Sequence, residues 1–177
     1  MLKRLILAGV MAAPLSVMAV TIQGQASATI EQPIAVVQAT PIQFGSVFDT
    51  TGLGGTVDLD ANGAATPDAA NGLRTGGPAS AGSFNVTAAA NSHYEVAINP
   101  AQFNITRAGG AETMGVDVSH LRFSSDAGNL YGTHALLAGQ TDGAGLGNFQ
   151  TYAVLTVGAG QVPGAYAGTY NVTVQYQ

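Results

Sequence analysis

Apolar and polar residues alternate without a break from Val20 to Glu31, in the sequence VTIQGQASATIE. The odd-numbered residues are all polar. The even-numbered residues are apolar or glycine, namely Val20, Ile22, Gly24, Ala26, Ala28 and Ile30. Because successive side chains of a β-strand point to opposite faces, this pattern predicts a strand with one buried face. At ~3.3 Å per residue, residues 20–30 would span about 36 Å, and burial would contribute about 1.5–3 kcal/mol for each large apolar side chain. We therefore expect this segment to dock into a sheet formed by other residues.

Shorter runs of alternation, separated by turn-forming residues, fill the rest of the chain. They predict strands at residues 34–37, 42–48, 56–60, 83–87, 93–99, 103–105, 114–118, 121–123, 151–157 and 168–177. Residues 61–80 and 124–148 are rich in small and polar residues and predict loops, an irregular hairpin or short strands. No helical period occurs outside the first nineteen residues. Many short strands in about 150 residues predict an all-β sandwich or barrel.

The first nineteen residues have the order of features of a secretory signal peptide. The basic start MLKR precedes an apolar run from Leu5 to Ala13, and small residues end at Ala19. Nine apolar residues are too few for a membrane span, which needs ~20. Cleavage after Ala28 would leave too long a gap behind the apolar run. We predict a signal peptide at residues 1–19, a donor segment at 20–30 and a β-domain at 31–177.

Charge and composition narrow the class of partner. After removal of residues 1–19 the chain has three arginines, no lysine and ten acidic residues, a net charge of −7. This charge argues against nucleic acid and anionic lipid as partners, and we expect no membrane insertion. The full chain contains 24 glycines, no tryptophan and no cysteine. An exported protein without disulfides must obtain its stability outside the cell in another way.

Two loops resemble ligand-binding motifs only in part. Asp58, Asp60, Asn62 and Gly63 match the first half of a calcium loop, but the twelfth position is Ala69 instead of glutamate. The glycine-rich stretch at 143–147 lacks the strand and helix that surround a phosphate loop. We therefore predict no metal site and no cofactor.

The polar residues also form no catalytic pattern. His93, His120 and His134 are dispersed, without cysteine or paired ligand spacing. Asp117 and His120 are close in sequence, but neighbouring strand residues point to opposite faces, whereas a triad is a spatial arrangement. We predict no catalytic residues and expect that the protein is not an enzyme.

Several segments resemble a family of secreted bacterial domains that is catalogued chiefly as a domain of unknown function. That family is similar to subunits of the common pilus, of spore coat U and of archaic chaperone–usher fimbriae. The resemblance covers nearly all of the mature chain. It is carried by Ile34 with Pro41-Ile-Gln-Phe-Gly45, the hairpin from Gly55 to Gly63, the segments 81–87 and 94–98, and the ending Gly-Thr-Tyr-Asn-Val-Thr-Val-Gln-Tyr at 168–176.

The resemblance implies an immunoglobulin-like β-sandwich that is incomplete and is completed by a donated N-terminal strand. In such subunits the final strand often has a penultimate aromatic residue and a glycine fourteenth from the end, and Tyr176 and Gly164 match these positions. The implied donor positions are Val20, Ile22, Gly24, Ala26, Ala28 and Ile30. The implied acceptor edge consists of Gly164, Tyr170, Val172, Val174 and Tyr176.

The implied protein is a structural pilus subunit, exported through the periplasm to an extracellular fimbria on the cell surface. The implied partners are identical or related pilin subunits, a periplasmic chaperone and an outer-membrane usher. Independently of the family, a sandwich that lacks one strand exposes an apolar groove and unpaired edges, and a donated strand removes both defects. Such a contact joins different surfaces of two copies and propagates into a fibre.

Two other functions fit the same residues. The tail could fold back into its own sheet, which would give a monomeric secreted coat or surface protein. Alternatively, the domain could be a carbohydrate-binding module or tip adhesin, although such a subunit normally needs a further binding domain and no donor strand. Three of the five inward positions from Ile22 to Ile30 are glycine or alanine, so main-chain pairing must provide much of the strength of a donated strand.

Overall fold

The structure is a computed structural model that describes residues 20–30, 32–123 and 137–177. It divides at residue 30 into two units. We call residues 20–30 the tail and the described residues from 32 onward the body. The predicted signal peptide, together with His134 and most of the predicted loop at 124–148, lies outside the described residues.

The body consists of thirteen β-strands and one short 3-10 turn at Ala69–Asn71, and its described part contains no α-helix. The strands are β1 (Ala35–Thr40), β2 (Ser46–Asp49), β3 (Gly55–Leu59), β4 (Ala65–Pro67), β5 (Leu73–Gly76), β6 (Ser83–Thr87), β7 (His93–Asn99), β8 (Gln102–Arg107), β9 (Thr113–Phe123), β10 (Leu137–Gln140), β11 (Leu146–Val157), β12 (Tyr166–Ala167) and β13 (Asn171–Tyr176).

The strands form antiparallel sheets around one core. The largest sheet has the order β1-β6-β11-β9-β8-β12, with β3 and β4 added beside β11. A second sheet has the order β10-β7-β13, and β2 pairs with β5. The predicted all-β, sandwich-like fold is confirmed.

Alternation places the core between the sheets. In β11 the buried residues are every second one from Phe149 to Val157, and in β7 they are Tyr94, Val96 and Ile98. Phe149 stacks on Phe84 with ring centroids 5.0 Å apart. These central strands follow the sequence prediction because each has one apolar and one polar face.

β9 is one strand, where the sequence predicted two. Its inward residues change from even numbers (Val116, Val118) to odd numbers (Leu121, Phe123). The pairing with β11 shifts at the same place, because Tyr152 opposes His120 but Val154 opposes Asp117. A β-bulge inserts an extra residue and so restores the inward face. The break in the pattern was therefore a bulge and not a turn.

Other boundaries also differ from the prediction. The predicted loop at 61–80 contains β4, the 3-10 turn and β5, and Leu73 is fully buried. β11 begins at residue 146 instead of 151, and β13 begins at 171 instead of 168. The prediction at 61–80 was an exposed loop or an irregular hairpin. The pairing of β4 with β3 fits the hairpin, whereas the burial of Leu73 does not fit an exposed loop.

The tail has no regular secondary structure, so the strand predicted there is absent in the single chain. Its side chains are exposed, including those of Val20, Ile22 and Ile30. An isolated extended segment has no partner for its backbone N–H and C=O groups, and a strand needs such a partner. The six implied donor positions are therefore exposed coil here.

Candidate docking groove

An open groove with a volume of about 1480 Å³ lies in the body. Its apolar lining comes from eight strands and the segments between them. Its floor is formed by Phe84, Phe103, Ile105, Met114, Val116, Leu155 and Val157. Several of these floor residues belong to the hydrophobic core or pack directly against it. The groove therefore exposes part of the core along one side of the sandwich.

Strand edges flank this groove on both sides. One flank is residues 36–50, which include β1 and β2, and the other is residues 161–172, which include β12 and the start of β13. β1 and β12 are the two outer strands of the largest sheet, and β13 is an outer strand of the second sheet. An extended segment lying in the groove would therefore have strand edges beside it on both sides.

Among the described residues that line the groove, only Asp49 has a charged side chain. Its carboxylate accepts hydrogen bonds from Gly54 N at 2.9 Å and from Gly52 N at 2.7 Å. These backbone bonds, first that of Gly54, lower the pKa of Asp49. The carboxylate thus organises its own loop, and the rest of the lining suits an uncharged occupant.

Tyr170 stands at the centre of the second flank. Its ring stacks on Phe103 with centroids 5.3 Å apart and meets Phe84 edge-on at 6.4 Å. Burial raises the pKa of Tyr170 to about 12, and its contact with the Thr151 hydroxyl opposes this rise. The ring forms part of the groove wall and is held by aromatic contacts from two strands.

The groove includes three of the five residues predicted for the acceptor edge. Tyr170 and Val172 line it, and so does Gly164, although Gly164 lies in the turn before β12 and not on the final strand. A Cβ at Gly164 would lie 2.8 Å from Cδ of Arg107, so this position needs glycine because of close packing. Val174 lies on β13 and packs against the core outside the groove lining.

Tyr176 is not among the residues that line the groove, and it lies on β13, an outer strand of the second sheet. Its hydroxyl accepts a hydrogen bond from Ala89 N at 2.8 Å and donates one to the carbonyl oxygen of Gln32 at 2.5 Å. Gln32 lies two residues after the last residue of the tail. The penultimate tyrosine therefore fixes the point at which the N-terminal segment leaves the body.

Sequence reasoning missed the first flank and the floor of the groove. Val36, Ile42 and Phe44 line the groove and are only half-buried. Val36 belongs to the strand predicted at 34–37, and Ile42 and Phe44 belong to the strand predicted at 42–48. The sequence has no signal that separates a covered apolar face from an open one. A strand with a partly covered apolar face and a strand with a buried one have the same sequence pattern, because both need apolar side chains on that face.

The loop that resembles half of a calcium-binding motif has a structural role. Oδ1 of Asp60 accepts hydrogen bonds from Asn62 N at 2.9 Å and Ala64 N at 2.8 Å, which closes the turn between β3 and β4. Within the described residues, no three His, Cys, Asp or Glu side chains are grouped to hold a metal ion. No helix in the described ranges is long and apolar enough to cross a membrane.

Antiparallel sheets packed around one apolar core define the class of this protein as an all-β, sandwich-like domain. The chain belongs to the family described as Domain of unknown function (DUF4402), whose model matches residues 34–176. The match begins at Ile34 and so covers the body and not the tail. Comparisons with curated proteins and with solved structures gave no match.

Proposed function

We propose that this protein is a structural subunit of an extracellular fimbria, in which the tail of one copy lies as a strand in the groove of the next. The observation that carries the proposal is the groove itself, which opens the core between two sets of strand edges. Fimbriae of this kind support surface attachment and biofilm formation, and the subunit has a structural role without a catalytic site or cofactor.

The tail has the chemistry that the groove requires. Its inward face is uncharged and apolar, and the groove has an apolar floor and no charged side chain besides Asp49 among the described residues that line it. Burial of Val20, Ile22 and Ile30 would contribute about 1.5–3 kcal/mol each. Gly24, Ala26 and Ala28 add little burial, so ladder hydrogen bonds to the flanking strands, worth about 0.5–1.5 kcal/mol each, must provide the rest.

Donation between copies leads to a fibre because donor and acceptor are different surfaces. Each copy that donates its tail keeps an open groove, so that the contact repeats along one direction. An open apolar groove is also an aggregation hazard in a single copy. The proposal therefore includes a periplasmic chaperone that covers the groove before assembly. An outer-membrane usher then replaces the chaperone with the tail of the next subunit, so that the final partners are identical or related subunits.

Electrophoresis of unheated surface material in detergent tests the proposal. We expect a ladder of multimers that collapses on boiling, since non-covalent strand insertion is the only link in a protein without cysteine. Deletion of residues 20–28 should abolish the ladder and leave export intact. A ladder that persists after this deletion contradicts the proposal.

The same experiment separates the proposal from a self-completed surface protein. If the tail folds into its own groove, the wild-type chain runs as a monomer before and after boiling. Mixing two differently tagged preparations gives the second readout, since only donation between copies places both tags in one detergent-resistant band.

A further inference from the structure

One end of the body, which we call the Leu53 end, carries exposed apolar side chains on two joined loops. Residues 49–54 and 158–162 are connected by a hydrogen bond from Gly160 N to the carbonyl oxygen of Gly52, 3.0 Å long. Leu53 is 65 % exposed and Phe48, at the mouth of the groove, is 56 % exposed. Gly54 has φ 73°, and a Cβ there would lie 2.4 Å from the carbonyl oxygen of Val157, so the loop is held closely against β11.

The opposite end, which we call the Tyr176 end, is where the tail leaves the body. It contains Tyr176, Gln32 and Ala89, joined by the two hydrogen bonds described above. Leu146, which pairs with Thr87 at this end, is 55 % exposed. Both ends of the body therefore present an exposed leucine.

A donated tail leaves little distance between two bodies. Only Glu31 separates Ile30 from Gln32, which Tyr176 holds, and the next residue is Pro33 with its fixed backbone angle. The tail can span about 36 Å, so one that fills the groove ends at one end of the acceptor. The donor's Tyr176 end must then contact that end of the acceptor.

The direction of the inserted strand decides which end is covered. β13 runs from the groove towards the Tyr176 end, because Asn171 opposes Asn99 and Tyr176 opposes Tyr94 next to the loop at Ala89. A tail parallel to β13 would bring two Tyr176 ends together and leave Leu53 exposed to water, since Leu53 does not line the groove. A tail antiparallel to β13 would cover Leu53 with the donor's Tyr176 end.

We infer that the joint between two copies has a second part, in which the Leu53 end of the acceptor seats against the Tyr176 end of the donor. This inference rests on the proposed function and specifies the partner surface and the strand direction. The occupant is a second copy of this chain. Apolar side chains on both surfaces and the short connection at Glu31 bring the two surfaces together.

Thiol cross-linking in the full chain tests this contact, because the chain has no cysteine of its own. The double variant Leu53→Cys and Ala90→Cys places one thiol at each end, and Ala90 is exposed at the Tyr176 end. A short bismaleimide should convert its multimers into a ladder that resists boiling. The matched control, Val37→Cys with Ala90→Cys, should not, since Val37 is also 65 % exposed but lies on β1 away from the Leu53 end.

Variants with a single cysteine test whether the inserted tail instead runs parallel to β13. Ala90→Cys alone should give no more cross-linked dimer than Val37→Cys alone. Cross-linked dimers of Ala90→Cys as abundant as the products of the double variant would overturn the inference, because they would place two Tyr176 ends together. A double variant that forms the boiling-sensitive ladder but no covalent one overturns the inference and leaves strand donation standing.

A charge substitution provides an independent measurement. Leu53→Asp should weaken the unheated ladder at least several-fold relative to Asn85→Asp, while both variants keep the circular dichroism spectrum of the wild type. Asn85 is the control because it is exposed on β6, outside the groove lining. Leu53→Ser serves the same comparison if the aspartate variant does not fold. Equal ladders from the Leu53 and Asn85 variants overturn the second contact, whereas the absence of multimers in the wild type overturns the proposed function as well.

Discussion

Phe149 and Phe84 form a stacked aromatic pair in the core. Their rings are nearly parallel, with an interplanar angle of 12°, and Phe123 lies 5.8 Å from Phe149. Phe149 is fully buried, whereas Phe84 also forms part of the groove floor. One aromatic pair thus connects the stable interior to the surface that we propose as a docking site.

Truncation of Phe149 should therefore destabilise the body strongly. We expect Phe149→Ala to lower the free energy of unfolding by ~3–5 kcal/mol, since the lost burial and the cavity both count. Phe48→Ala is the control, and its exposed ring should change the unfolding free energy by about 0.5 kcal/mol or less. Urea unfolding of the chain without residues 20–28 measures both values, and equal losses would contradict this description of the core.

Tyr170 predicts a loss of stability in alkali. Burial raises its pKa in the folded body from 10.0 to about 12, so the folded state keeps its proton where the unfolded chain loses it. The contribution is fully present below pH 10 and is lost as the pH rises through about 12. Tyrosinate absorbance should show one late-ionising tyrosine that Tyr170→Phe removes. An unchanged late phase in that variant would contradict the assignment.

At the scale of elements, alternation in the tail makes a prediction specific to one face. Ile22→Asp should abolish the multimer ladder, because a carboxylate would enter an apolar groove at a cost of several kcal/mol. Gln23→Asp adds the same charge one residue further, on the face directed to water, and should leave the ladder intact. Unheated electrophoresis compares the two, and equal effects would mean that the tail does not bind as a strand.

The sequence allowed the regular central strands to be predicted. It did not allow the bulge in β9 or the short strands at 61–80 to be recognised. β6 and β7 begin and end at the predicted residues because their alternation is regular and polar turns border them. β9 was divided in two because a bulge and a turn both interrupt alternation. The region 61–80 was taken as loop because its contacts, such as that of the Thr50 hydroxyl with the carbonyl oxygen of Gly72, join residues far apart in sequence.

At the scale of the whole molecule, the groove could be predicted only in part. Tyr170 and Val172, which were predicted for an acceptor edge, line it, but the opposite flank and the floor come from strands that the sequence describes only as apolar. Whether an apolar face is covered depends on how distant edges such as β1 and β12 meet. That arrangement is a property of the sheet topology, and local alternation does not contain it.

The course of β13 has a mechanical consequence for the proposed fibre. β13 runs towards the Tyr176 end, so a tail paired beside it would lie along the line on which neighbouring subunits pull. Tension would then load its ladder hydrogen bonds together in shear and would not peel them apart one after another. A strand held in this way resists flow far better than its modest side chains suggest, and a cysteine-free filament could stay intact under drag.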